Sequence, residues 1–283
     1  MLNQQVISTH DDMEMAYSEL AQGLLSHHQR ARGKVHAQAN DQMMFELNHM
    51  TLVWDVAPDV DEWAAVVSPN LPWAEDHLLE RVSGQPLNPP PSASWWPFNQ
   101  NDNEIHKKDE KFSHTYPERF WPRHAGEEMD QGWDISSPTN RSHFGIRYRY
   151  GDLFDLIKIL RADPDTRQAY LPVWFPEDLA AAVDGERVPC TLGYHFLSTE
   201  TKLLDCSYFL RSCDIVRFFR DDVYMAGRLL HFVCSETGFI PGRLVVHIAN
   251  LHAFEADRYF LTQVVKPIKP VDARASYNFD ALG

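Results

Sequence analysis

Four residues in the second half of the chain have side chains suited to chemistry on a small ligand. Cys190 follows a proline, and a free thiol, whose pKa is about 8.5, becomes a strong nucleophile once it ionises. Arg211 begins the sequence Arg-Ser-Cys-Asp, and a guanidinium stabilises a nearby thiolate and binds phosphate oxygens. Asp222 lies near the expected start of a helix, and His252 follows an apolar run. Taken singly, each also fits a structural role: a buried thiol, a surface ion pair, a helix-dipole acid or a strand-end histidine.

The spacing of the cysteines argues against a metal site. The chain has four cysteines, and no two of them form a C-x-x-C pair. Zinc nucleobase deaminases combine H-x-E with P-C-x-x-C, but Cys190 is followed by Thr-Leu-Gly and no H-x-E precedes it. We therefore expect reduced thiols, no metal, and Cys190 as the candidate nucleophile.

The order and spacing of these segments resemble the thymidylate synthase superfamily. A Pro-Cys pair, an Arg-Ser-x-Asp segment, an amide or acid, and a histidine after a strand follow one another as they do in that family. The string Phe219-Arg-Asp-Asp is closest to phage-type deoxycytidylate (dCMP) hydroxymethylases. Upstream, Asp163-Pro-Asp-Thr-Arg resembles the family's Asp-Pro-x-Ser-Arg-Arg turn, and Tyr116-Pro-Glu-Arg-Phe-Trp resembles its Tyr-Gly-x-x-Trp segment.

This resemblance implies an α+β fold of the thymidylate synthase type, in which helices pack on a large mixed β-sheet. It covers residues 112–260, the motif-bearing part, whereas residues 1–110 form a divergent N-terminal part that is placed only by order. We expect the 283 residues to form a single catalytic domain.

The resemblance also assigns a role to each nucleotide-binding residue. Cys190 would add to carbon 6 of a pyrimidine ring, and Arg211 would bind the nucleotide phosphate while lowering the pKa of the thiol. Ser212 would bind the phosphate through its hydroxyl, and His252 would bind a sugar hydroxyl.

Further phosphate contacts are implied by arginines elsewhere in the chain. Arg167 would cross to the partner subunit of a homodimer, and Arg32, in an Arg-Ala-Arg-Gly turn, is an additional candidate. Two positions depart from the family pattern. Gln168 replaces a second arginine, which removes a phosphate contact, and Phe254 replaces a tyrosine, which removes a hydrogen bond to the sugar.

Asp222 occupies the position at which uracil-specific members of the family have Asn. Uracil offers a carbonyl acceptor and a ring N–H donor, which an amide complements, whereas cytosine offers an amino donor and an unprotonated ring nitrogen. A carboxyl group accepts from the amino group and shares a proton with the ring nitrogen, so this position favours a cytosine nucleotide. Asp221 is a rival, and the Phe-Arg-x-Asp register favours Asp222.

The family also uses a glutamate to move protons, and residues 73–83, a predicted helix, offer two candidates. Glu75 shares a face with Leu78 and Leu79, whereas Glu80 faces another way, so Glu75 is the candidate catalytic carboxylate. Further residues are candidates for binding folate or shielding its site: Asp214, Trp95, Trp96 and Tyr116.

Together these assignments predict transfer of a one-carbon unit from 5,10-methylenetetrahydrofolate to carbon 5 of a cytosine mononucleotide. The product would be 5-hydroxymethyl-(d)CMP, formed through a covalent Cys190 adduct. Synthesis of 5-methyl-dCMP or dTMP on the same scaffold is an alternative, and a non-catalytic nucleotide-binding subunit is another. The product would serve phage DNA modification or a modified-nucleoside pathway.

Bulk composition limits the other classes of function. The formal net charge of −14 disfavours polymeric nucleic acid as a partner. No apolar run approaches the roughly 18–20 residues that span a bilayer, and the N-terminal segment lacks the pattern of a secretory signal. We therefore expect a soluble cytoplasmic protein without a membrane partner, in the host cytoplasm if a phage encodes it.

Hydrophobic patterns predict the elements that position these residues. Residues 12–29 predict a helix that leads into a basic turn at 29–34, and residues 41–54 predict a strand or strand pair. Residues 86–109, rich in Pro, Ser, Asn and Trp, predict a long ordered loop.

The second half is more regular. Apolar residues at i, i+3, i+4 and i+7 predict a helix over 151–162 that ends at Asp163-Pro164. Short β-like runs predict strands at 193–197, 204–210 and 244–248, with a helix over 221–234 between the last two.

Overall fold

A mixed β-sheet of seven strands lies at the centre of the protein. The computed structural model describes residues 13–26, 30–32, 42–97, 107–122, 151–200 and 202–265. The strands in this part of the chain are β1 (Arg30–Arg32), β2 (Gln42–Asp55), β3 (Lys107–Lys108), β4 (Lys111–Phe112), β5 (Tyr170–Pro172), β6 (Thr191–Glu200), β7 (Leu203–Leu210), β8 (Cys213–Asp214) and β9 (Ile240–Phe254). The sheet has the order β1-β2-β9-β7-β6-β5 with β8 beside β9, while β3 and β4 pair separately.

Several helices pack against this sheet. In chain order the helices are α1 (Met13–Ser26), α2 (Val60–Val67), α3 (Trp73–Val82), α4 (Tyr116–Phe120), α5 (Leu153–Ala162), α6 (Pro176–Val183), α7 (Phe219–Thr237) and α8 (Arg258–Val264). Short 3-10 turns lie at Pro91–Trp95 and Glu255–Asp257.

The parallel strands meet at β9, in the interior of the sheet. β9 runs parallel to β7 and β8, whereas the other neighbouring strands are antiparallel. Parallel neighbours need a crossover connection, and α7 supplies it between β7 and β9. Gly238 ends α7 with a φ of 83°, a conformation that glycine adopts without a steric cost.

Helix α7 is buried over most of its length because α2, α3 and the sheet all pack against it. Gly227 allows α2 to approach closely, since a Cβ atom there would meet the indole ring of Trp63. The Trp63 indole nitrogen donates to the Tyr224 carbonyl at 3.2 Å. The start of α7, which carries Asp221 and Asp222, is therefore held on a rigid support.

The predicted fold class, α+β with a large mixed sheet and packed helices, is confirmed. The predicted helix over 151–162 is α5, which buries its four periodic apolar residues and is capped by Asp152 through the Asp155 backbone N–H at 3.0 Å. Residues 73–83 and 221–234 also form helices, as predicted, and the three predicted strands are the cores of the longer β6, β7 and β9.

Some local predictions were wrong. Residues 30–32 form strand β1, not a turn, because they pair with the long strand β2, which offers backbone donors and acceptors along its edge. Helices α2 and α6 were not predicted, and the predicted loop over 86–109 contains a 3-10 turn. Residues 98–106 of that loop lie outside the described residues.

Candidate active site

Cys190 lies immediately before β6, beside the end of β7. The antiparallel register of these strands pairs Thr191 with Leu210, which brings Arg211 next to the cysteine. The Arg211 backbone N–H donates to the Cys190 carbonyl at 2.9 Å. Its Nε atom donates to the Pro189 carbonyl at 2.8 Å. The arginine thus fixes the segment that presents the thiol, although the two residues are far apart in sequence.

The Cys190 side chain is exposed, yet the surrounding protein shapes its ionisation. Burial raises the pKa of the thiol, Arg211 and Arg187 oppose this, and Asp222 and Asp214 reinforce it. Part of Cys190 is thus exposed, while the protein atoms around its sulfur remove water that would stabilise a thiolate. The thiol is therefore reachable, and its ionisation depends on the balance between two guanidinium groups and two carboxyl groups.

Arg187 is a cation that sequence analysis missed. Burial lowers its pKa, Cys190 and Tyr116 raise it, and the neighbouring Arg211 lowers it again. Neither guanidinium has a salt bridge to a carboxylate of the described residues. Two cations that lack a carboxylate partner among the described residues, and that both act on one thiol, suit the binding of an anion. Arg187 stands three positions before Cys190 in the sequence, but this spacing alone does not show that its guanidinium lies near the thiol.

Asp222 and Asp221 have different surroundings at the start of α7. Asp221 is buried and accepts hydrogen bonds from the Asn70 backbone N–H at 2.8 Å and from its side-chain amide at 2.9 Å. The Asp222 carboxyl has one described contact of this kind, from the Cys213 thiol at 3.9 Å. Both Asp221 oxygens are used in hydrogen bonds within the protein, whereas the Asp222 oxygens can still accept hydrogen bonds from a ligand.

The surroundings of Asp222 alter its acidity strongly. Burial raises its pKa to about 7, with Arg81 opposing and Asp221 reinforcing the change. Near neutral pH the group is therefore present in both protonation states. It acts on Cys190 and on the buried phenol of Tyr116, and raises the pKa of both. A carboxyl group poised near neutral pH is suited to sharing a proton with a ring nitrogen.

Ser212 and His252 are also brought together. Ser212 Oγ lies 3.3 Å from His252 Nδ1, because β8 runs parallel to β9 and pairs Asp214 with His252. The Phe254 ring meets the His252 ring edge-on at 5.8 Å between centroids. These two polar side chains therefore lie beside Arg211, the sequence neighbour of Ser212.

Asp214, predicted to meet folate, is buried and paired. Its carboxylate accepts from Arg217 Nη1 at 2.9 Å and from the Val216 backbone N–H at 2.9 Å. The same guanidinium binds Asp257 at 2.8 Å. Asp214 therefore orders the turn before α7. A ligand that bound the Asp214 carboxylate would have to share its oxygens with Arg217.

The other three predicted folate residues have different settings. Trp96 stacks on Phe218, with 5.0 Å between ring centroids and 16° between the planes. Trp95 is 42% exposed. Tyr116 lies within the Cys190 cluster, where its hydroxyl accepts from Thr191 Oγ1 at 3.2 Å.

Glu75 and Glu80, the two candidate catalytic carboxylates, are both held by other side chains. Glu75 accepts from Tyr224 Oη at 2.8 Å and from Arg228 Nη2 at 2.7 Å. Burial raises its pKa, but these hydrogen bonds outweigh it and lower the pKa below the usual value. Glu80 accepts from the Ser92 backbone N–H at 2.7 Å. No described contact joins either carboxylate to Cys190 or Asp222.

Glu75 was predicted to point inward together with Leu78 and Leu79, but the buried face of α3 is a different one. Leu79, assigned to the same inward face, is 52% exposed. The buried stripe of α3 instead consists of Trp73, Ala74, Leu78 and Arg81. Glu75 sits beside that stripe because Arg228 and Tyr224 of α7 attract its carboxylate.

Arg167 is not part of the cluster in one chain, and the Arg32 side chain lies outside the described part of the structure. Arg167 is exposed at the end of the turn after α5, and its carbonyl lies 3.1 Å from His195 Nε2. Arg32 belongs to β1, opposite Gln42. Among the described residues, Arg167 has no contact with Cys190 or Arg211.

The described residues contain no group of three or more His, Cys, Asp or Glu side chains that could hold a metal ion. Within the same part of the chain, no helix has the length and apolar character that crossing a bilayer requires.

Comparison with known proteins identifies related sequences. The family model described as thymidylate synthase matches residues 39–270. The chain is 24% identical over 156 residues to thymidylate synthases of Listeria monocytogenes serotype 4a (strain HCC23) and Listeria innocua serovar 6a. These alignments cover 52% of this chain and 42% of each relative. The chain therefore spans less than half the length of these curated relatives.

Proposed function

Because the chain belongs to the thymidylate synthase family, we propose that it transfers a one-carbon unit to carbon 5 of a cytosine mononucleotide. The donor would be 5,10-methylenetetrahydrofolate, and the product a 5-hydroxymethyl cytosine nucleotide. The observation that carries the cytosine assignment is the Asp222 carboxyl. Within the described residues this carboxyl accepts from no N–H or O–H donor, its pKa is raised to about 7, and its charge acts on the Cys190 thiol.

The Asp222 carboxyl complements cytosine better than uracil. When ionised it accepts from the exocyclic amino group, and when protonated it donates to the unprotonated ring nitrogen. Uracil would place a carbonyl oxygen against a carboxylate, leaving a buried acceptor unpaired. Such polar mismatches separate substrates by several orders of magnitude.

Cys190 supplies the covalent step. Its thiolate adds to carbon 6, and the electron pair of the 5,6 double bond then forms the bond from carbon 5 to the transferred methylene. Loss of the carbon 5 proton and of tetrahydrofolate leaves an exocyclic methylene, to which water adds. Expulsion of the Cys190 sulfur restores the ring and the free thiolate. The net change is nucleotide, methylenetetrahydrofolate and water giving hydroxymethyl nucleotide and tetrahydrofolate.

The cations near the thiol support binding of a nucleotide phosphate. Arg211 has the guanidinium fork that suits phosphate oxygens, and Arg187 provides a second charge from the same chain. Ser212 and His252 extend the polar wall from Arg211. In a homodimer, which is part of the proposal, Arg167 of a second copy would add a contact.

The residues assigned to the folate substrate fit an aromatic ligand. Trp96 and Phe218 are stacked beside the turn that carries Asp214, and their faces suit a flat heterocycle. Glu75 has no role in the proposed reaction, since Arg228 and Tyr224 hold its carboxylate.

The decisive experiment is to incubate the purified protein with methylenetetrahydrofolate and dCMP, CMP or dUMP, and to identify products by mass. A hydroxymethyl product from a cytosine nucleotide is expected. Turnover of dUMP alone would reject the assignment of Asp222. Formation of dihydrofolate would indicate hydride transfer, and hence the alternative of a 5-methyl nucleotide.

A non-catalytic nucleotide-binding subunit is the second candidate, and the raised pKa of Cys190 favours it. Release of tritium from carbon 5 of labelled nucleotide separates the two functions. An enzyme exchanges the label and loses this exchange in Cys190→Ala. The Cys234→Ala variant, which changes a thiol of α7 outside the cluster, should retain it.

A further inference from the structure

Arg81 is a charged residue on the buried stripe of α3. It is 3% exposed, and its Cζ atom lies 4.0 Å from the centroid of the Tyr116 ring. Its Nε atom is buried and has no hydrogen-bond partner, and no carboxylate of the described residues forms a salt bridge with its guanidinium. Arg81 therefore sits inside the protein, and no carboxylate in the described part of the chain balances its charge through a direct ion pair.

This arrangement is unfavourable for folding alone. A buried guanidinium loses hydration, and a missing hydrogen bond leaves part of that loss uncompensated. The Tyr116 ring face offsets only part of the loss. A methionine of similar length would fill the same space without the free-energy cost of removing a charge from water. A buried guanidinium at position 81 is therefore better explained by its electrostatic effect on neighbouring groups than by a contribution to folding.

The charge acts on the candidate base-reading group. Arg81 is the main charged group that lowers the pKa of Asp222, and it also acts on Tyr116 and Tyr194. Tyr116 connects Arg81 with the segment around Cys190. Arg81 lies over its ring, and its hydroxyl accepts a hydrogen bond from Thr191, the neighbour of Cys190. Arg81 thus borders the same cluster as Cys190 and Asp222.

We propose that Arg81 is a positioning residue for Asp222: held over the Tyr116 ring, it is the counter-charge that keeps the Asp222 carboxylate available to the pyrimidine amino group. This inference rests on the proposed function for the identity of the base. Arg81 would touch neither the reacting carbon nor the transferred group. Its effect on recognition of the base would pass through Asp222.

Other titratable groups act on Asp222 or are acted on by it, and the effect of Arg81 must be separated from theirs. Asp221 disfavours the Asp222 carboxylate, as would ionisation of the thiols or phenols. These groups come from the segment before β6, from β8, α4, β6, β7 and α7: Cys190, Cys213, Tyr116, Tyr194, Tyr208 and Asp221. Variants at Arg81 leave all of them in place.

The test uses the full chain without nucleotide or folate. Asp carboxyls labelled with 13C are titrated by NMR in the wild type, Arg81→Met and Arg81→Lys, with the Asp222 signal assigned from its loss in Asp222→Asn. We expect the Asp222 midpoint to rise by about one pH unit or more in Arg81→Met and by less in Arg81→Lys. Arg161→Met, which removes a surface guanidinium paired with Glu236, should leave it unchanged.

Two further readouts separate positioning from a structural role. Arg81→Met should melt at the wild-type temperature or above, because it removes an unpaired buried charge, while kcat/KM for the cytosine nucleotide falls and its pH profile moves upward. If Arg81→Met does not fold, Arg81→Gln provides the neutral variant. An unchanged Asp222 midpoint in a folded neutral variant overturns the proposal. Because the titration needs no turnover, it stands even if the proposed reaction fails.

Discussion

Asp221 and Asp222 are neighbours at the start of α7, yet their carboxyl groups meet different chemistry. Asp221 accepts two hydrogen bonds from Asn70, at 2.8 and 2.9 Å, whereas the described contact of the Asp222 carboxyl is with the Cys213 thiol at 3.9 Å. Successive helix residues point about 100° apart, so one carboxyl fixes the loop before α3 and the other lies next to the Cys213 thiol. The two positions should respond differently to the same substitution.

Asp222→Asn should change the preferred base. An amide offers one donor and one acceptor, which complements uracil and leaves cytosine mismatched. We expect the ratio of kcat/KM for dCMP to that for dUMP to fall by at least about 100-fold. Asp221→Asn is the matched control, and steady-state kinetics with both nucleotides should show little change in that ratio. Equal effects of the two substitutions would contradict the assignment.

Asp221→Ala should act on stability. It leaves the backbone N–H and the side-chain amide of Asn70 without their acceptor, and such losses cost about 1–3 kcal/mol in partly buried positions. Urea denaturation should show a lower midpoint with an unchanged slope. Asn70→Ala tests the same interaction from the other side and should give a loss that is not additive with the first. Additive losses would indicate that the two residues act independently.

The parts of the site that were predictable lie on regular elements close in sequence to a recognisable segment. Cys190 and Arg211 flank antiparallel strands, so the register of β6 and β7 brings them together. Ser212 and His252 meet for the same reason on β8 and β9. Helix α5 was predictable because its apolar residues repeat at helical spacing, and the same residues form its buried face.

The parts that could not be predicted depend on which face of an element meets which neighbour. Glu75 was assigned an inward direction from helical spacing, but α7 supplies Arg228 and draws its carboxylate away. Arg81 lies on the true buried stripe, and a charge in that stripe was the overlooked signal. Arg187 precedes the cysteine by three positions, and only tertiary packing reveals that it and Arg211 share surroundings.

Ionisation of Asp222 should oppose folding as the pH rises. In the unfolded chain an Asp carboxyl ionises near pH 3.9, whereas burial raises the pKa of Asp222 to about 7 in the folded protein. Between these values the folded state binds more protons, so the contribution of Asp222 to stability falls from about pH 4 to about pH 7 and then stays constant. Asn does not ionise and is free of this effect.

The measurement is the free energy of unfolding in urea, for the wild type and Asp222→Asn, across this pH range. The stability of the variant relative to the wild type should rise between about pH 4 and 7 and level off above. The difference is used because His77, whose pKa burial lowers to about 4, changes stability in the opposite direction in both proteins. A difference that does not vary with pH would show that Asp222 ionises normally.

Arg187→Met should make Cys190 harder to ionise and weaken nucleotide binding. The guanidinium lowers the pKa of the thiol, so its removal should move the pH profile of Cys190 alkylation by iodoacetamide to higher pH and slow the reaction near neutral pH. Loss of one charged hydrogen bond to phosphate should raise the nucleotide KM about tenfold or more. Arg161→Met, altered at the surface pair with Glu236, is the control for a general change in charge. An alkylation profile that coincides with the wild type would show that Arg187 does not act on the thiol. A raised KM with that unchanged profile would leave Arg187 as a phosphate ligand only.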